Sequence, residues 1–517
     1  MSLFALRSRI RWFALCLALT GAAVLPAAPA GANAGRGEVI VQLDAGRSPD
    51  AAKAQVRAYG GTVTGDLPII NGFAARLSDG AAASLQRADG VRAVTPNARV
   101  EPQGIKAAGL ATAYPAATDA VQAWNRRDAG VTGKGVGVAV IDTGIAGQLP
   151  DFEEAGPSTA SRVVASVVTN PDATHARDTY GHGTHVAGIL AGNGSERAKR
   201  DPLRGRYIGV APEADLISVK VSDDDGDATV LDVIYGLQFA VDRRHDLNIR
   251  VVNLSLESSE PGSYRTDPLN AAVESAWLKG LVVVAAGGNR GSGADAVSHA
   301  PGNDPYVISV GALDDQASRR DGDDSRASWS SRGTTRDGFA KPDLHAPGAR
   351  IVSTLAPGSA FAAMCPSCIV SGEMIRAGGS SMAAPMVAGA AALLLEKHPQ
   401  LTPDEVKGVL LAAARRVNGR FPAVDAYAAI RSVTAGHVPK ANQGLTPNAL
   451  VDAATGDIDY ARSSWSRSSW SSAPGGLGLD FARSSWSRSS WSSFDSSGVE
   501  TSRSSWSRSS WSTSWSK

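Results

Sequence analysis

Three short segments, far apart in the chain, each carry one member of a candidate nucleophilic triad: Val-Ala-Val-Ile-Asp-Thr-Gly at 138–144, Gly-His-Gly-Thr-His-Val-Ala-Gly at 181–188, and Gly-Ser-Ser-Met-Ala-Ala-Pro at 379–385. A serine hydroxyl is a weak nucleophile until a base takes its proton, and an imidazole base needs a carboxylate that fixes its tautomer. The segments supply these groups as Asp142, His182 and Ser381. A fold that uses them must bring three distant parts of the chain to one place.

The local sequence around each candidate favours its role. Asp142 ends an apolar run that predicts a strand, so its carboxylate can be held rigidly. His182 lies between two glycines at the start of a predicted helix, where close main-chain approach is allowed. We expect Ser381 just before a long apolar helix whose N-terminus favours negative charge on a substrate oxygen, with Pro385 tolerated in the first turn.

The segments and their order Asp, His, Ser resemble those of the subtilisin-like serine peptidases, and the resemblance covers roughly residues 118–433. Unrelated folds that share this chemistry carry the triad in other orders, so the order is informative. The resemblance implies that Asn289, which ends Val-Val-Val-Ala-Ala-Gly-Gly-Asn, donates to the substrate oxyanion together with the main-chain N–H of Ser381. It also implies that His182 is the base and that His185 is structural.

The same resemblance implies a substrate strand, Asn-Leu-Ser-Leu at 253–256, and a specificity pocket. The pocket residues that it implies are Ser255, Leu256, Ala286, Gly287 and Gly288. The chain departs from the family at three places. Ser380 stands where Thr is usual, and Glu257 and Ser258 replace two glycines. Residues 353–377 form an insertion, which we expect to be a lid or rim. Two interpretations of Glu257 stay open, a solvated rim charge and a group that favours basic substrate residues.

The region from 118 to 433 alternates Val- and Ile-rich runs with helical stretches. The runs are typical of parallel strands covered on both faces, at Val136–Ile141, Asp215–Val219, Val251–Leu254, Leu281–Ala286 and Tyr306–Val310. Helices are predicted at Leu231–Val241, Pro268–Lys279, Met382–Lys397 and Thr402–Arg415. We therefore predict an α/β domain with a mainly parallel sheet flanked by helices, with Asp142 and Asn289 beyond the carboxyl ends of strands.

Two segments precede this domain. Residues 1–34 predict an export signal, because a basic start is followed by the apolar run Trp12–Leu25 and a small-residue cleavage site at 32–34; an uncleaved anchor is the alternative. Residues 35–104 alternate strand and helix patterns and predict a small α+β unit. The position of this unit resembles that of the family's inhibitory propeptide, an intramolecular inhibitor that is later cut off. An unrelated small binding domain is the alternative.

Residues 437–517 form a Trp/Ser/Arg-rich tail in which Arg-Ser-Ser-Trp-Ser-Arg-Ser-Ser-Trp-Ser begins at Arg462, Arg483 and Arg503. The five-residue spacing of Trp gives neither one face of a strand nor a stripe on a helix, so the repeats predict disorder. Trp and Arg can also stack on sugars and aromatic groups. Contact with a cell surface or polysaccharide and an inert flexible tail are both open.

Cys365 and Cys368 form Cys-Pro-Ser-Cys within the insertion. An exported chain meets oxidising conditions, which favours a local disulfide. A thioredoxin-like motif needs a strand-to-helix setting that this Gly/Ser-rich loop lacks, and zinc needs more ligands than two thiols.

Charge and metal-binding patterns restrict the partners. With 51 basic and 50 acidic residues, nothing favours a nucleic-acid partner.

The acidic run 223–227 fails the EF-hand spacing, because Ala228 stands where Gly is needed, so a solvated loop is the preferred interpretation. We expect no cofactor for catalysis and assign no metal ligands; structural calcium, common in the family, stays open with its ligands unknown.

Together these patterns predict a secreted serine endopeptidase, extracellular or attached to the cell surface, that is made as a self-processing zymogen. It would hydrolyse polypeptide substrates through an acyl-enzyme on Ser381. The alternatives are a dedicated processing protease with few targets and a non-catalytic surface-attachment protein, and the complete triad argues against the second.

Overall fold

The computed structural model describes residues 37–44, 46–67, 71–96, 110–154, 160–194, 197–318, 322–434, 438–457 and 503–504. The predicted signal at 1–34 and nearly all of the repeats lie outside these residues. The chain divides into two compact units, Met1–Gln103 and Gly104–Lys517. Within the described ranges, we find no helix with the length and apolar character of a bilayer span.

The first unit is the predicted α+β domain. Its elements are β1 (Gly37–Leu43), α1 (Pro49–Ala58), β2 (Thr62–Leu67), β3 (Gly72–Leu77), α2 (Asp79–Leu85) and β4 (Val91–Pro96). The strands form an antiparallel sheet in the order β2–β3–β1–β4. Alternate residues of β1 and β3, among them Val41 and Phe73, pack with Val56 of α1 in one core. The sequence pattern missed β2, because Thr-Val-Thr-Gly-Asp-Leu lacks regular apolar alternation.

The second unit contains the remaining elements. Its helices are α3 (Tyr114–Ala117), α4 (Ala120–Asn125), α5 (His182–Ala191), α6 (Val230–Asp242), α7 (Pro268–Leu278), α8 (Ala360–Met364), α9 (Ser380–Lys397), α10 (Pro403–Ala412) and α11 (Ala426–Ser432). Its strands are β5 (Gly137–Asp142), β6 (Val163–Val168), β7 (Asp215–Lys220), β8 (Ala228–Thr229), β9 (Ile249–Leu254), β10 (Val282–Ala286), β11 (Ile308–Asp314), β12 (Ser325–Arg326), β13 (Gly333–Thr334), β14 (Ala340–Lys341), β15 (Leu344–Pro347), β16 (Ile351–Thr354), β17 (Ile369–Ser371), β18 (Met374–Ala377), β19 (Arg415–Val417), β20 (Phe421–Ala423) and β21 (Arg503–Ser504).

The central sheet has the order β19–β20–β15–β11–β10–β9–β5–β7–β6, with β12 paired to β11. Every neighbour pair from β20 to β6 is parallel, whereas β19 and β12 are antiparallel to their partners. All side chains of β5 and β10 are buried, which explains their unbroken apolar sequences. The fold confirms the predicted α/β class with a mainly parallel sheet.

Three neighbouring strands of this sheet position the candidate site. Asp142 ends β5, Ser255 follows β9, and Asn289 lies shortly after β10. Because parallel strands end at the same edge of a sheet, all three residues meet there.

Three further segments also have defined structure. The predicted insertion at 353–377 contributes to the antiparallel sheet β16–β18–β17 and contains α8 and a Cys365–Cys368 disulfide. Residues 438–457 pack on the rest of the second unit, where Asn448 Nδ2 donates to Asp267 O at 2.9 Å. The described pair Arg503–Ser504 forms an antiparallel bridge with β8.

Candidate active site

The carboxylate of Asp142 and the imidazole of His182 lie in contact. Asp142 Oδ1 is 2.8 Å from His182 Nδ1, and neither side chain is exposed. The main-chain N–H of Thr143 donates to the same Oδ1 at 2.8 Å. A carboxylate held in this way fixes the imidazole with its proton on Nδ1 and leaves Nε2 as the acceptor nitrogen.

Two glycines allow this close contact. Gly181 precedes α5 with φ +101°, a conformation that side chains other than glycine rarely adopt. At Gly183, a Cβ would lie 2.2 Å from Gly144 O and 3.0 Å from Asp142 Oδ1. The two glycines beside His182 are therefore needed for the main-chain conformation and for the close approach of the histidine to Asp142.

A buried carboxylate that the sequence analysis missed supports the same contact. Asp178 accepts hydrogen bonds from Thr143 Oγ1 (2.9 Å), Gly181 N (2.7 Å), Thr184 N (2.8 Å) and Thr184 Oγ1 (2.6 Å). Burial raises the pKa of Asp178, although these hydrogen bonds oppose the shift. Asp178 thus joins the turn after β5 to the start of α5. No sequence motif around Asp178 indicated that its side chain would accept these hydrogen bonds.

Ser381 is held differently from the prediction. We expected it before the helix, but α9 begins at Ser380, so Ser381 is already within its first turn. Pro385 therefore lies inside the helix rather than in its first turn. The Ser381 side chain is 7 % exposed, and its hydroxyl donates to Ser255 O at 3.1 Å.

The Ser381 carbonyl shows why Ser255 matters. In an α-helix this carbonyl would accept from the N–H of residue 385, which proline lacks. Ser255 Oγ donates to it instead, at 2.8 Å, and Asn253 Nδ2 donates to that hydroxyl oxygen at 3.0 Å. Ser255, predicted only as a pocket residue, therefore contacts Ser381 through both its hydroxyl and its carbonyl.

Two potential donors, Asn289 Nδ2 and Ser381 N, lie close to one position at Gly379, with Met382 Sδ also nearby. Asn289 Oδ1 accepts from Ser380 N at 2.8 Å, which leaves its Nδ2 free to point elsewhere. The position that a Cβ would take at Gly379 lies 3.5 Å from Asn289 Nδ2 and 3.7 Å from Ser381 N. A developing oxyanion near this position would have both donors within reach.

The predicted pocket residues gather beside these donors. Ser255 and Leu256 follow β9, whereas Ala286, Gly287 and Gly288 continue from neighbouring β10. Gly288 N donates to Ser380 Oγ at 3.1 Å. Ser380, which replaces the threonine usual in the family, thus supplies a hydroxyl that links the pocket to the start of α9 by a hydrogen bond.

Glu257 is not the solvated rim charge that we considered. Its side chain is 14 % exposed, and Oε1 lies 3.1 Å from Arg290 Nε. Its Oε2 would be 2.4 Å from a Cβ at Gly288, so the carboxylate lies directly against the pocket glycine. Burial raises the pKa of Glu257, while Arg290 opposes the shift. The pocket therefore borders an ion pair in which Arg290 neutralises the charge of Glu257.

His185 has a structural environment. Its Nε2 lies 3.1 Å from Ile375 O, which links α5 to β18. Burial, with a smaller effect of His182, lowers the pKa of His185 to about 3, so the ring is neutral at ordinary pH.

Two carboxylates of the acidic run have protein partners. Asp223 Oδ1 accepts from the N–H groups of Asp225 (3.0 Å) and Asp227 (2.8 Å), and Asp224 Oδ1 lies 3.0 Å from Lys220 Nζ. Burial alone would raise the pKa of Asp224, but hydrogen bonds from Thr174 and Lys220 lower it to about 2. Across the part of the chain that the structure describes, no three His, Cys, Asp or Glu side chains are grouped to hold a metal.

Sequence comparisons agree with this geometry. A family model described as "Subtilase family" matches residues 133–452, and one described as "Putative peptidase inhibitor domain" matches residues 23–97. Serine protease AprX of Bacillus subtilis (strain 168) is 40% identical over 285 residues, which are 54% of this chain and 61% of that protein. Subtilisin E of the same organism is 33% identical over 425 residues, which are 80% of this chain and 96% of that protein.

Two solved structures are also similar. A cold adapted subtilisin-like serine proteinase is 28% identical, with a TM-score of 0.43, and the match covers 57% of this chain and 90% of that chain. Fervidolysin from Fervidobacterium pennivorans, a keratinolytic enzyme related to subtilisin, is 26% identical, with a TM-score of 0.47 and coverage of 78% and 61%.

Proposed function

Because this chain belongs to the subtilase family and is a subtilisin-type serine protease with an inhibitor-like N-terminal domain, we propose that it is a secreted endopeptidase made as a self-processing precursor. The observation that carries the proposal is that two donors, Asn289 Nδ2 and Ser381 N, lie near one position at Gly379, next in the chain to Ser380 and Ser381. Such a site stabilises the negative charge that forms when a hydroxyl attacks a peptide carbonyl.

The proposed reaction starts at Ser381. Its Oγ leaves the hydrogen bond to Ser255 O, gives its proton to His182 Nε2 and attacks the carbonyl carbon of the peptide bond. Asp142 stabilises the imidazolium, and the two donors bind the oxyanion. The imidazolium then protonates the leaving amine, which departs and leaves an acyl ester on Ser381. Water, deprotonated by His182, hydrolyses the ester and regenerates the hydroxyl. These steps use only protein groups and water.

The N-terminal unit acts in this proposal as the chain's own inhibitor. The boundary between the compact units follows Gln103, and β4, the last strand of the first unit, ends at Pro96. From Leu110 onward the chain contacts other parts of the second unit, where Ala111 N donates to Arg206 O at 2.7 Å. We therefore propose that maturation cuts between residues 97 and 110, and that the cut is made by Ser381 itself.

The deciding experiment compares wild type with Ser381→Ala and measures the mature N-terminus by mass spectrometry and casein hydrolysis by fluorescence. We expect wild type to lose its first unit and cleave casein, and Ser381→Ala to keep the unit and be inactive. Ser432→Ala, an exposed serine on α11, is the matched control and should behave as wild type. If purified Ser381→Ala loses its first unit without added wild type, or if it cleaves casein, the proposal is refuted.

The breadth of cleavage separates the general endopeptidase from a dedicated processing protease. A mixed peptide library should be cut at many sites by a general enzyme and at one or few sequences by a dedicated one. We propose broad cleavage, because a substrate that pairs with the predicted substrate strand at 253–256 would be held by main-chain hydrogen bonds, which do not select particular side chains.

For the tail we propose contact with a cell surface or polysaccharide. The tail carries seven of the chain's 11 Trp residues, six of them in the three repeats, and clustered weak sites gain avidity. Retention of the Ser381→Ala chain on cell-wall polysaccharide should fall when residues 458–517 are deleted. Equal retention with and without these residues removes this part of the proposal.

A further inference from the structure

The segment 353–377 packs directly on the turn that carries His182. Ala360 N donates to Thr179 O and Phe361 N donates to Tyr180 O, both at 2.8 Å. Thr179 and Tyr180 immediately precede Gly181 and His182 in the chain. The two segments are therefore joined by main-chain hydrogen bonds next to the base.

The contact continues at Gly181. A Cβ on this residue would lie 2.6 Å from Ser359 Oγ and 2.8 Å from Phe361 Cβ. Any larger residue would push α8 away from the turn. The glycine before the base therefore serves the packing of the insertion as well as its own main-chain conformation.

The Phe361 ring fills the space beside both histidines of α5. It is 2 % exposed, and its centroid lies 6.1 Å from that of His182 and 5.8 Å from that of His185, with both ring pairs at 76°. Tyr180 lies on another side, with a centroid separation of 6.3 Å. Edge-to-face pairs at these distances are favourable aromatic contacts.

We propose that Phe361 is a positioning residue that holds the His182 imidazole in the orientation that accepts the Ser381 proton. The inference rests on the proposed role of His182 as base. Asp142 fixes the position of Nδ1, but a hydrogen bond at that nitrogen does not by itself set the tilt of the ring about the contact. A packed ring on a second side removes this freedom, and reacting groups tolerate only about 10–20° of misorientation.

The same insertion reaches the nucleophile. After α8 and the disulfide, β18 pairs with β16 and ends at Ala377, shortly before Ser381. His185 Nε2 contacts Ile375 O on this strand. The insertion therefore connects the base and the nucleophile, so Phe361, whose ring contacts the base, is well placed to set their relative geometry.

The test measures kcat and KM of Phe361→Ala and Phe361→Leu on a chromogenic tetrapeptide anilide. Misplacement of a catalytic group by about 1 Å costs roughly 10²-fold in rate, so we expect Phe361→Ala to lower kcat by about 10–100-fold with KM within about threefold. Phe361→Leu should recover only part of the rate, because leucine refills part of the space that the ring occupies. Met364→Ala, on the exposed side of α8, is the matched control and should keep the wild-type kcat.

Thermal unfolding checks that each variant is folded. If Phe361→Ala does not fold, Phe361→Leu carries the test, with an expected loss in kcat of about threefold or more at unchanged KM. A wild-type kcat in the folded Phe361 variants, or a loss confined to KM, overturns the inference and leaves the proposed function standing. Activity that persists in Ser381→Ala overturns the proposed function instead.

Discussion

The hydroxyl of Ser255 donates to the main-chain carbonyl of Ser381 at 2.8 Å, and it thereby takes the place of a helical N–H that Pro385 does not have. The proline, inside a buried helix, would otherwise leave this carbonyl without a main-chain donor. A residue at the end of β9 thus completes the first turn of α9, in which the candidate nucleophile lies.

We predict that Ser255→Ala destabilises the protein by about 1–3 kcal/mol, because it leaves a buried carbonyl without its donor, and that it lowers kcat. Urea unfolding of the inactive Ser381→Ala background measures the free energy, and peptide hydrolysis measures kcat. Pro385→Ala supplies the missing N–H, so Ser255→Ala with Pro385→Ala should be more stable than Ser255→Ala. An unaltered unfolding free energy in Ser255→Ala would show that the hydrogen bond contributes nothing.

Asn289→Ala should lower kcat with little change in KM, because in the proposed reaction its Nδ2 donates to charge that forms only in the transition state. In subtilisin, loss of the oxyanion-hole asparagine lowers kcat by about 10²–10³-fold, and we expect the same range here. Asn289→Asp keeps the oxygen that accepts from Ser380 N but loses the donor, so it should be equally impaired. A loss below tenfold in both variants would argue against this role.

Arg197 is an internal cation whose loss should strongly destabilise the fold. Its side chain is 1 % exposed, its Nε and Nη2 lie 2.9 and 2.6 Å from the two oxygens of Asp151, and Nη1 contacts Asp201 and Glu373. Removal of one partner from a buried pair costs about 3–5 kcal/mol.

We therefore expect a loss of about 3–5 kcal/mol for Arg197→Met in chemical unfolding. Arg431→Met, which breaks an exposed pair with Asp128, should cost about 1 kcal/mol or less. Equal losses in the two variants would contradict the assignment of Arg197 as a structural cation.

Stability should fall as pH rises because of Glu274. This side chain is buried; burial and the neighbouring carboxylate of Asp304 raise its pKa above the ordinary value of 4.5. The folded protein therefore keeps a proton that the unfolded chain releases above about pH 4.5, so unfolding becomes easier with increasing pH until Glu274 ionises in the folded state.

Glu274→Gln removes this titration while it keeps an oxygen for the Asn448 N–H. In the Ser381→Ala background the variant should be more stable than its parent at pH 8, and the advantage should disappear toward pH 4. Unfolding free energies across this range are the measurement. Parallel pH profiles for the two proteins would refute the prediction.

The ion pair of Glu257 and Arg290 should control how strongly the enzyme prefers a basic over an apolar substrate residue on the acyl side of the cleaved bond. Arg290 now compensates the carboxylate beside Gly288. Arg290→Gln should uncover this charge and raise the ratio of kcat/KM for Arg over Leu peptides by about tenfold, whereas Glu257→Gln should lower that ratio. Ratios that do not change in either variant would exclude a role of the pair in specificity.

Much of the fold was predictable because its signals are local. Val- and Ile-rich runs marked the buried parallel strands, and capped amphipathic segments marked helices such as α10, where Thr402 and Glu405 form a capping box. The exceptions were short or irregular: β2 lacks alternation, and the start of α9 includes two serines that sequence reasoning placed before it.

By itself, the sequence determined the chemical groups and their order, because strand ends and glycine-flanked motifs are contiguous features. Only the tertiary structure decided the contacts that hold those groups: Asp178 at the histidine turn, Ser255 under Ser381, and Phe361 against His182. These contacts join segments that no sequence periodicity relates. They depend on how helices and loops pack on the finished sheet, where burial makes each hydrogen bond and each filled space costly to lose.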